Sequence, residues 1–407
     1  MEPQTSRRGV ATTVTVGALG YFVDVYDLQL FSVVRRSSLR ALGVPPEAML
    51  DQGVYLINAQ MVGMLLGGVL WGVLGDKRGR ASVLYGSIAL YSLANLANAF
   101  VNSVGAYAFW RFAAGVGLAG ELGAAITLVS ELLPARSRGY GTTVVATVGL
   151  LGAVVASLVG ESFSWRTAYI VGGVLGLVLL GLRLGMLESA LFSRARETPV
   201  RRGDLRLLFG SLARCGRFAA CVLVGLPLWY ALGVVMTFGP EITRDLGVVG
   251  EVRAERAVLY TYLGVVVGNL CTGLASQWLR SRRKVLAVAL GLTTLAVTAM
   301  LSARGASAGV VYGLYAALGV AIGYWAVFAT VAAEQFGTNL RATVATTVPN
   351  LVRGAVVPLT MSFKALKDHG GAAHAARVVG VVTLSLAFLA LWRLDESYGR
   401  ELDFHEE

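Results

Sequence analysis

The sequence predicts an all-α membrane protein of twelve transmembrane helices, arranged as two pseudo-symmetric six-helix bundles. Three observations lead there. Hydrophobic residues make up 56% of the 407 residues and charged residues only 14%, with mean hydropathy +0.66, whereas a soluble chain carries about a quarter charged residues. The apolar residues gather in runs of about 20, enough for a helix to span a bilayer. The chain also echoes itself. SELLPARSRGYGTT (130–143) returns as AEQFGTNLRATVATT (333–347), and Gly63, Gly72 and Asp76 have counterparts in Gly264, Gly273 and Gln277. Duplication on this scale in an apolar chain marks two halves packed about a common axis.

The spans are predicted at 11–33, 52–74, 81–101, 105–128, 139–161, 166–187, 216–239, 256–279, 284–302, 307–331, 341–365 and 373–393. Fifty glycines suit helices that pack closely in a membrane. Residues 1–188 form the first bundle and 216–395 the second. Between them, 189–215 reads as a basic cytoplasmic linker carrying Arg194, Arg196, Arg201, Arg202, Arg206 and Arg214, suited to an anionic leaflet or to a solvated tether. Residues 396–407 read as an acidic cytoplasmic tail.

The net charge of +11 does not point to nucleic acid, because the positive residues are sorted by loop. The side holding the termini and even loops carries about twice as many Lys and Arg as the other, which puts both termini in the cytoplasm of a multi-pass plasma (bacterial inner) membrane protein. Arg35, Arg36 and Arg40, assigned to the first outer loop, run against that bias. The first apolar run follows Arg7 and Arg8 but is too long for a cleaved signal, holds Asp24 and Asp27, and lacks a small-residue cleavage pattern. Cys215, Cys221 and Cys271 have no paired spacing, so neither a disulfide framework nor a metal motif is expected. No cofactor is expected either, and the chain is expected to be a monomer.

The loop after the second span reads GVLGDKRGR (72–80). It resembles the G-x-L-x-D-x-x-G-R signature of the major facilitator superfamily at every specified position. RFAAGVGLAGELGAA (111–125) is similar to that superfamily's R-x-x-x-G-x-G-x-G element, and GYFVDVYDLQLFS in the first span resembles the DxYD start of its proton-linked metabolite, organic-anion and phosphate symporters. The resemblance covers the whole chain. It implies the major facilitator fold, alternating access, and a cytoplasmic latch at Gly75, Asp76 and Arg80. The second-half loop SQWLRSRRK departs from the pattern, with Gln277 where Asp76 stands.

Charges inside a bilayer each cost about 2.5–3.5 kcal/mol on insertion scales, so each needs a partner or a function. Asp24 and Asp27 share one face of the first span. Arg111 lies at the same predicted depth as Asp27, which makes an Asp27–Arg111 pair plausible, either as a proton-operated switch or as a permanent ion pair. Glu121 lies about 15 Å deeper on the fourth span, suited to carrying a proton, touching substrate, or pairing with a neighbouring helix. The resemblance implies an acidic residue there in phosphate and aromatic-acid carriers. Asp24, Asp27, Arg111 and Glu121 are therefore the proton-coupling candidates.

Arg353 shares a stripe with Thr346 and Asn350 on the eleventh span, where Pro349 and Pro358 would free backbone groups towards a cavity. A cation at that depth suits an anionic substrate, as the resemblance implies for carriers with an Arg on this helix. Pairing with Asp24 or Glu121 is the equal alternative. Trp229, Tyr230, Tyr324, Trp325, Tyr262, Asn58, Gln60 and Asn269 complete the substrate-site candidates, each also accountable as helix packing. Glu131 with Arg138, and Glu334 with Arg341, read as cytoplasmic gate positions.

No Ser–His, HExxH or paired-Cys arrangement accompanies the three histidines, so an enzyme is not expected. A non-transporting receptor on the same scaffold stays open. The expected partners are a small molecule, protons and the lipid bilayer. The expected function is proton-coupled symport of a small organic anion. The alternatives are a sugar or other neutral-solute symporter, and a cation or drug exporter using Asp24 and Asp27 as counter-charges.

Overall fold

The computed structural model describes residues 7–78, 80–120, 135–187 and 208–399. Each of the twelve predicted segments falls on helix within these ranges. The first half contains α1 (Arg7–Ala41), α2 (Met49–Arg78), α3 (Arg80–Asn98), α4 (Val104–Leu118), α5 (Ala135–Ser162) and α6 (Trp165–Leu187). The second contains α7 (Leu212–Tyr230), a π-helical turn (Ala231–Met236), α8 (Gly239–Asp245), α9 (Ala254–Trp278), α10 (Arg282–Ser302), α11 (Ala308–Ile322), α12 (Trp325–Glu334), α13 (Thr338–Gly354) and α14 (Val356–Arg393). Eight of the described stretches are long and apolar enough to cross a membrane, and one of these runs from Thr343 to Arg393. The chain is a multi-pass, all-α membrane protein.

Several boundaries differ from the sequence reading. α1 extends to Ala41 because nothing before Gly43 stops it, and Gly43 takes the left-handed φ of 78° that ends the turn. Arg35, Arg36 and Arg40 therefore belong to a helix and not to a loop. α7 begins at Leu212, inside the stretch assigned to the linker. The tenth segment breaks at Gly323 and Tyr324, between α11 and α12. α14 carries non-helical geometry at Gly370 and Gly371, so it holds the end of the eleventh segment and the whole of the twelfth. The start of the tail is docked: Glu396 accepts from the backbone N–H groups of Arg282 at 2.8 Å and Arg283 at 3.2 Å, at the N-terminus of α10.

The internal repeat is visible in the packing. On α2, Gly63 and Gly67 lie against the backbone of Phe112 and Val116 on α4. On α9, Gly264 and Gly268 lie against the backbone of Ala316 and Val320 on α11. Gly115 meets the Gln60 carbonyl, and Gly319 meets the Thr261 carbonyl. In each case a Cβ would collide with main chain, so glycine is what lets the paired helices touch. The halves meet where α5 packs on α9 and where α2 packs on α13 and α14, with α1 against α9.

Candidate functional site

The buried ionisable groups lie where the halves meet or just beside that seam. Arg353, at the last turn of α13, is 1% exposed, and Asp24 on α1 is fully buried. Their side chains approach across the halves, Nη2 to Oδ2, at 3.5 Å. The Arg353 guanidinium lies 5.8 Å from the Trp229 ring centroid and 5.7 Å from that of Trp325, both within cation–π range. Tyr21 lies beside Arg353, Asp24 and Trp325, and Tyr262 beside Tyr21 and Arg353. Arg353 Nε and Nη1, Trp229 Nε1 and Asn350 Oδ1 have no hydrogen-bond partner among the described residues. The result is an aromatic box around a cation whose ion pair is long, with further donors still to be used.

Local sequence explains how the box is built. Pro227 precedes Trp229, and the π-helical turn Ala231–Met236 follows it. π turns of this kind recur at functional sites because they re-aim the flanking side chains. Trp325 begins α12 just after the break at Gly323, whose Cα packs onto the backbone of Gly268 and Asn269. Arg353 sits one residue before the end of α13.

The other half holds a second network. Arg111 donates to Gln60 Oε1 and, at 3.3 Å, to the Tyr169 hydroxyl, with its guanidinium 4.3 Å from the Phe31 ring centroid. Tyr169 and Tyr107 share a hydroxyl bond of 2.7 Å, and Tyr107 donates to Ser38 at 3.3 Å. The expected direct Asp27–Arg111 pair is absent among the described ion pairs, and that expectation is corrected. The close approach of α2 and α4 at Gly115 carries Gln60 into the guanidinium's reach, so Gln60 takes that place. Asp27 instead turns into its own half. It is 1% exposed, Asn95 is the amide that faces it, and Arg111 and Asp24 are the charges beside it.

The remaining candidates divide by what they touch. The Tyr230 hydroxyl donates to the Ala376 carbonyl at 2.6 Å, and the Tyr324 hydroxyl to the Val224 carbonyl at 3.1 Å. Both phenols are committed to joining helices. Asn58 accepts from Thr360 at 2.8 Å and Asn269 donates to Thr147 at 3.2 Å, so both tie one half to the other. Asn269 also accepts from the Ala326 N–H at 3.0 Å, bracing the start of α12. Glu334 pairs with Arg282 at 3.4 Å and accepts from Ser397 at 2.7 Å. Glu121 and Glu131 lie outside the described residues, as do the side chains of Thr346, Asp76, Arg80, Arg138 and Arg341. Gly75 falls within α2, and nothing further is described there.

A cavity of about 10 Å³ lies between the halves, lined in part by Gln29, Ser32, Trp229 and Thr237. It has room for about one water molecule, far short of the roughly 300 Å³ that a small-molecule pocket needs. On the predicted outer side the halves are held together by side chains the sequence reading missed: Arg35 with Glu241 at 2.7 Å, Glu161 with Arg253 at 3.1 Å and Arg256 at 3.0 Å, and Asp51 with Lys364 at 3.4 Å. The signal for Arg35 was present, since Asp24, Leu28, Ser32 and Arg35 form one stripe once α1 is allowed to run on.

Paired halves, glycine-packed helix couples and buried charges at the central seam define a membrane transporter. The Major Facilitator Superfamily model matches residues 17–357, and the chain belongs to that superfamily. It is 28% identical over 334 residues to the 3-(3-hydroxy-phenyl)propionate transporter of Escherichia coli, covering 79% of each chain. It is 25% identical over 408 residues to the gentisate transporter of Corynebacterium glutamicum, covering 95% of this chain and 88% of that one. A match to the niacin transporter of Acinetobacter baylyi is 32% identical over 167 residues, spanning 40% of this chain and 37% of that protein. The fold matches that of a proton:xylose symporter with TM-score 0.69 at 17% identity, covering 97% of both chains.

Proposed function

We propose that the protein couples proton movement to symport of a small aromatic carboxylate, bound at Arg353 between Trp229 and Trp325. The observation that carries this reading is the Arg353 guanidinium, buried between two indole rings with Asp24 as its ion-pair partner at 3.5 Å. A carboxylate takes two parallel N–H bonds from a guanidinium, and an aromatic ring beside it packs against the Trp faces. The relatives' named solutes are in keeping with this, since hydroxyphenylpropionate, gentisate and niacin each combine an aromatic ring with a carboxylate. A neutral sugar would leave the Arg353–Asp24 pair nothing to exchange with.

Coupling follows from competition. The substrate carboxylate displaces Asp24 from Arg353, and the released Asp24 carboxylate, buried without its cation, takes up a proton. Asp27, three residues further on, is the second acceptor and is insulated from the substrate by its own half. The site then returns to either side with its charges balanced, and the halves rock about it. The loop charge bias supports a cytoplasmic position for both termini.

Proteoliposome uptake of a labelled hydroxybenzoate or nicotinate under an imposed pH gradient tests this. Uptake should rise when the lumen is alkaline, and Arg353→Gln should abolish it. Uptake indifferent to the gradient rules out coupling, and sugars competing as well as aromatic acids rule out the substrate class.

A further inference from the structure

The predicted outer side is closed by a contact that lies apart from Asp24 and Arg353. Arg35 is fully buried, and its Nη2 donates to Glu241 Oε1 at 2.9 Å and Oε2 at 2.7 Å. The same guanidinium reaches the Thr237 carbonyl at 3.1 Å and the Met49 carbonyl at 3.5 Å, and lies 4.8 Å from the Phe238 ring centroid. Gly53 on α2 makes the room, since a Cβ there would come within 2.9 Å of Arg35 Cδ. One turn inward, the Ser32 and Thr237 hydroxyls are 3.0 Å apart. A single side chain from α1 therefore binds α2 of its own half and, in the other, both α8 and the residue that follows the π-helical turn.

The other described ion pairs between the halves on the predicted outer side are of a different kind. Arg36 with Glu251, Glu161 with Arg253 and Arg256, and Asp51 with Lys364 all include at least one substantially exposed partner. Water and salt screen such pairs, so each holds the halves weakly. Arg35 and Glu241 are 0% and 18% exposed. Removing one partner of such a pair leaves a charge buried and uncompensated.

The geometry points to Arg35 and Glu241 as the outer gate of the transport cycle, an ionic lock that must break for the central site to open to the predicted outside. The position of Arg35 on α1 fits that role. It lies about 16 Å outward of Asp24 on the same stripe of the helix, so parting the halves exposes the path between them. Ser32, beneath the lock, is 4% exposed and becomes accessible only when the lock opens.

The test places Ser32→Cys in a chain whose Cys215, Cys221 and Cys271 are replaced by Ser. A membrane-impermeant maleimide is then applied to the outside of intact cells. Labelling should be slow with the lock intact and rise at least tenfold with Glu241→Gln or Arg35→Gln. Glu241→Asp keeps the charge but shortens the reach, and should raise labelling about threefold, which covers the case in which a neutral variant fails to fold. Labelling unchanged in every variant recovered in the membrane overturns the assignment. The readout does not depend on the solute, so its outcome is separate from that of the aromatic-carboxylate reading on which the central site rests.

Discussion

Asp24 and Asp27 sit three residues apart on α1 yet serve different halves of the molecule. Asp24 reaches 3.5 Å across the seam to Arg353, whereas Asp27 turns into its own bundle, where Asn95 faces it and a Cβ at Gly172 would collide with Oδ1. One helix therefore presents one acid to the Arg353 guanidinium and keeps the other away from it.

This division makes Asp24→Asn informative. With its acid gone, Arg353 is available to substrate at all times, so exchange of labelled for unlabelled substrate should persist. Accumulation driven by a pH gradient should be lost. Comparing counterflow with gradient-driven uptake in the same vesicles checks this, and loss of both would place Asp24 in substrate binding instead.

Arg353→Lys keeps the charge but not the planar fork, and a bidentate site does not tolerate that exchange. A loss of about 2–4 kcal/mol in binding is expected, a rise in KM of some two orders of magnitude. Trp229→Ala and Trp325→Ala should each cost about 1 kcal/mol, or roughly fivefold. Uptake kinetics with an aromatic and an aliphatic acid separate the two effects, because the aliphatic acid should feel only the lost cation–π support of Arg353 and the aromatic acid the lost ring packing as well.

The outer lock should be insensitive to pH over the range in which transport is measured. Burial pushes the Glu241 carboxyl up, but the Arg35 guanidinium outweighs it, with Arg36 adding to the pull, and the net result lies below the ordinary glutamate value. For an acid depressed in the closed state, the favourable contribution is present above its ordinary value of about 4.3 and is lost only as the pH falls through the depressed one. Labelling of the Ser32→Cys chain, divided by the rate for a free small thiol at the same pH, should therefore be flat from about pH 5.5 to 8. A steep rise in that ratio within the window would contradict the ion pair.

The glycine contacts give a stability test in matched positions. Gly115→Ala and Gly319→Ala place a methyl group against the Gln60 and Thr261 carbonyls in turn. Each should cost about 1–3 kcal/mol through overpacking, seen as a lowered melting temperature in detergent. Gly291→Ala, where a Cβ meets nothing within 4 Å, should be neutral and serves as the control.

Glu396 provides a last test at the predicted cytoplasmic side. Burial raises this carboxyl, but the Ser281 hydroxyl and the backbone N–H groups of Tyr398, Arg282 and Arg283 outweigh it and lower it overall. It acts as a remote cap for α10. Glu396→Ala should cost about 1 kcal/mol, and the thermal stability of the purified chain checks it.

The sequence alone carried the architecture, because apolar length and internal duplication are properties of the chain in order. Twelve spans, two halves and a row of buried charges were legible from spacing alone. Arg353 and its two tryptophans were legible as residue types. Their convergence was not, since Trp229, Trp325 and Arg353 come from three helices whose rotations no periodicity specifies. The same limit explains the Asp27–Arg111 expectation: the two charges do lie beside one another, but the close approach of α2 and α4 gave the guanidinium to Gln60. Arg35 was hidden by a helix boundary, and Glu241 by lying outside any apolar run. Chain order determined which charges the membrane must accommodate. The packing of helix on helix decided their partners, because an ion pair needs atoms within a few ångströms and that distance is set only when both halves are assembled.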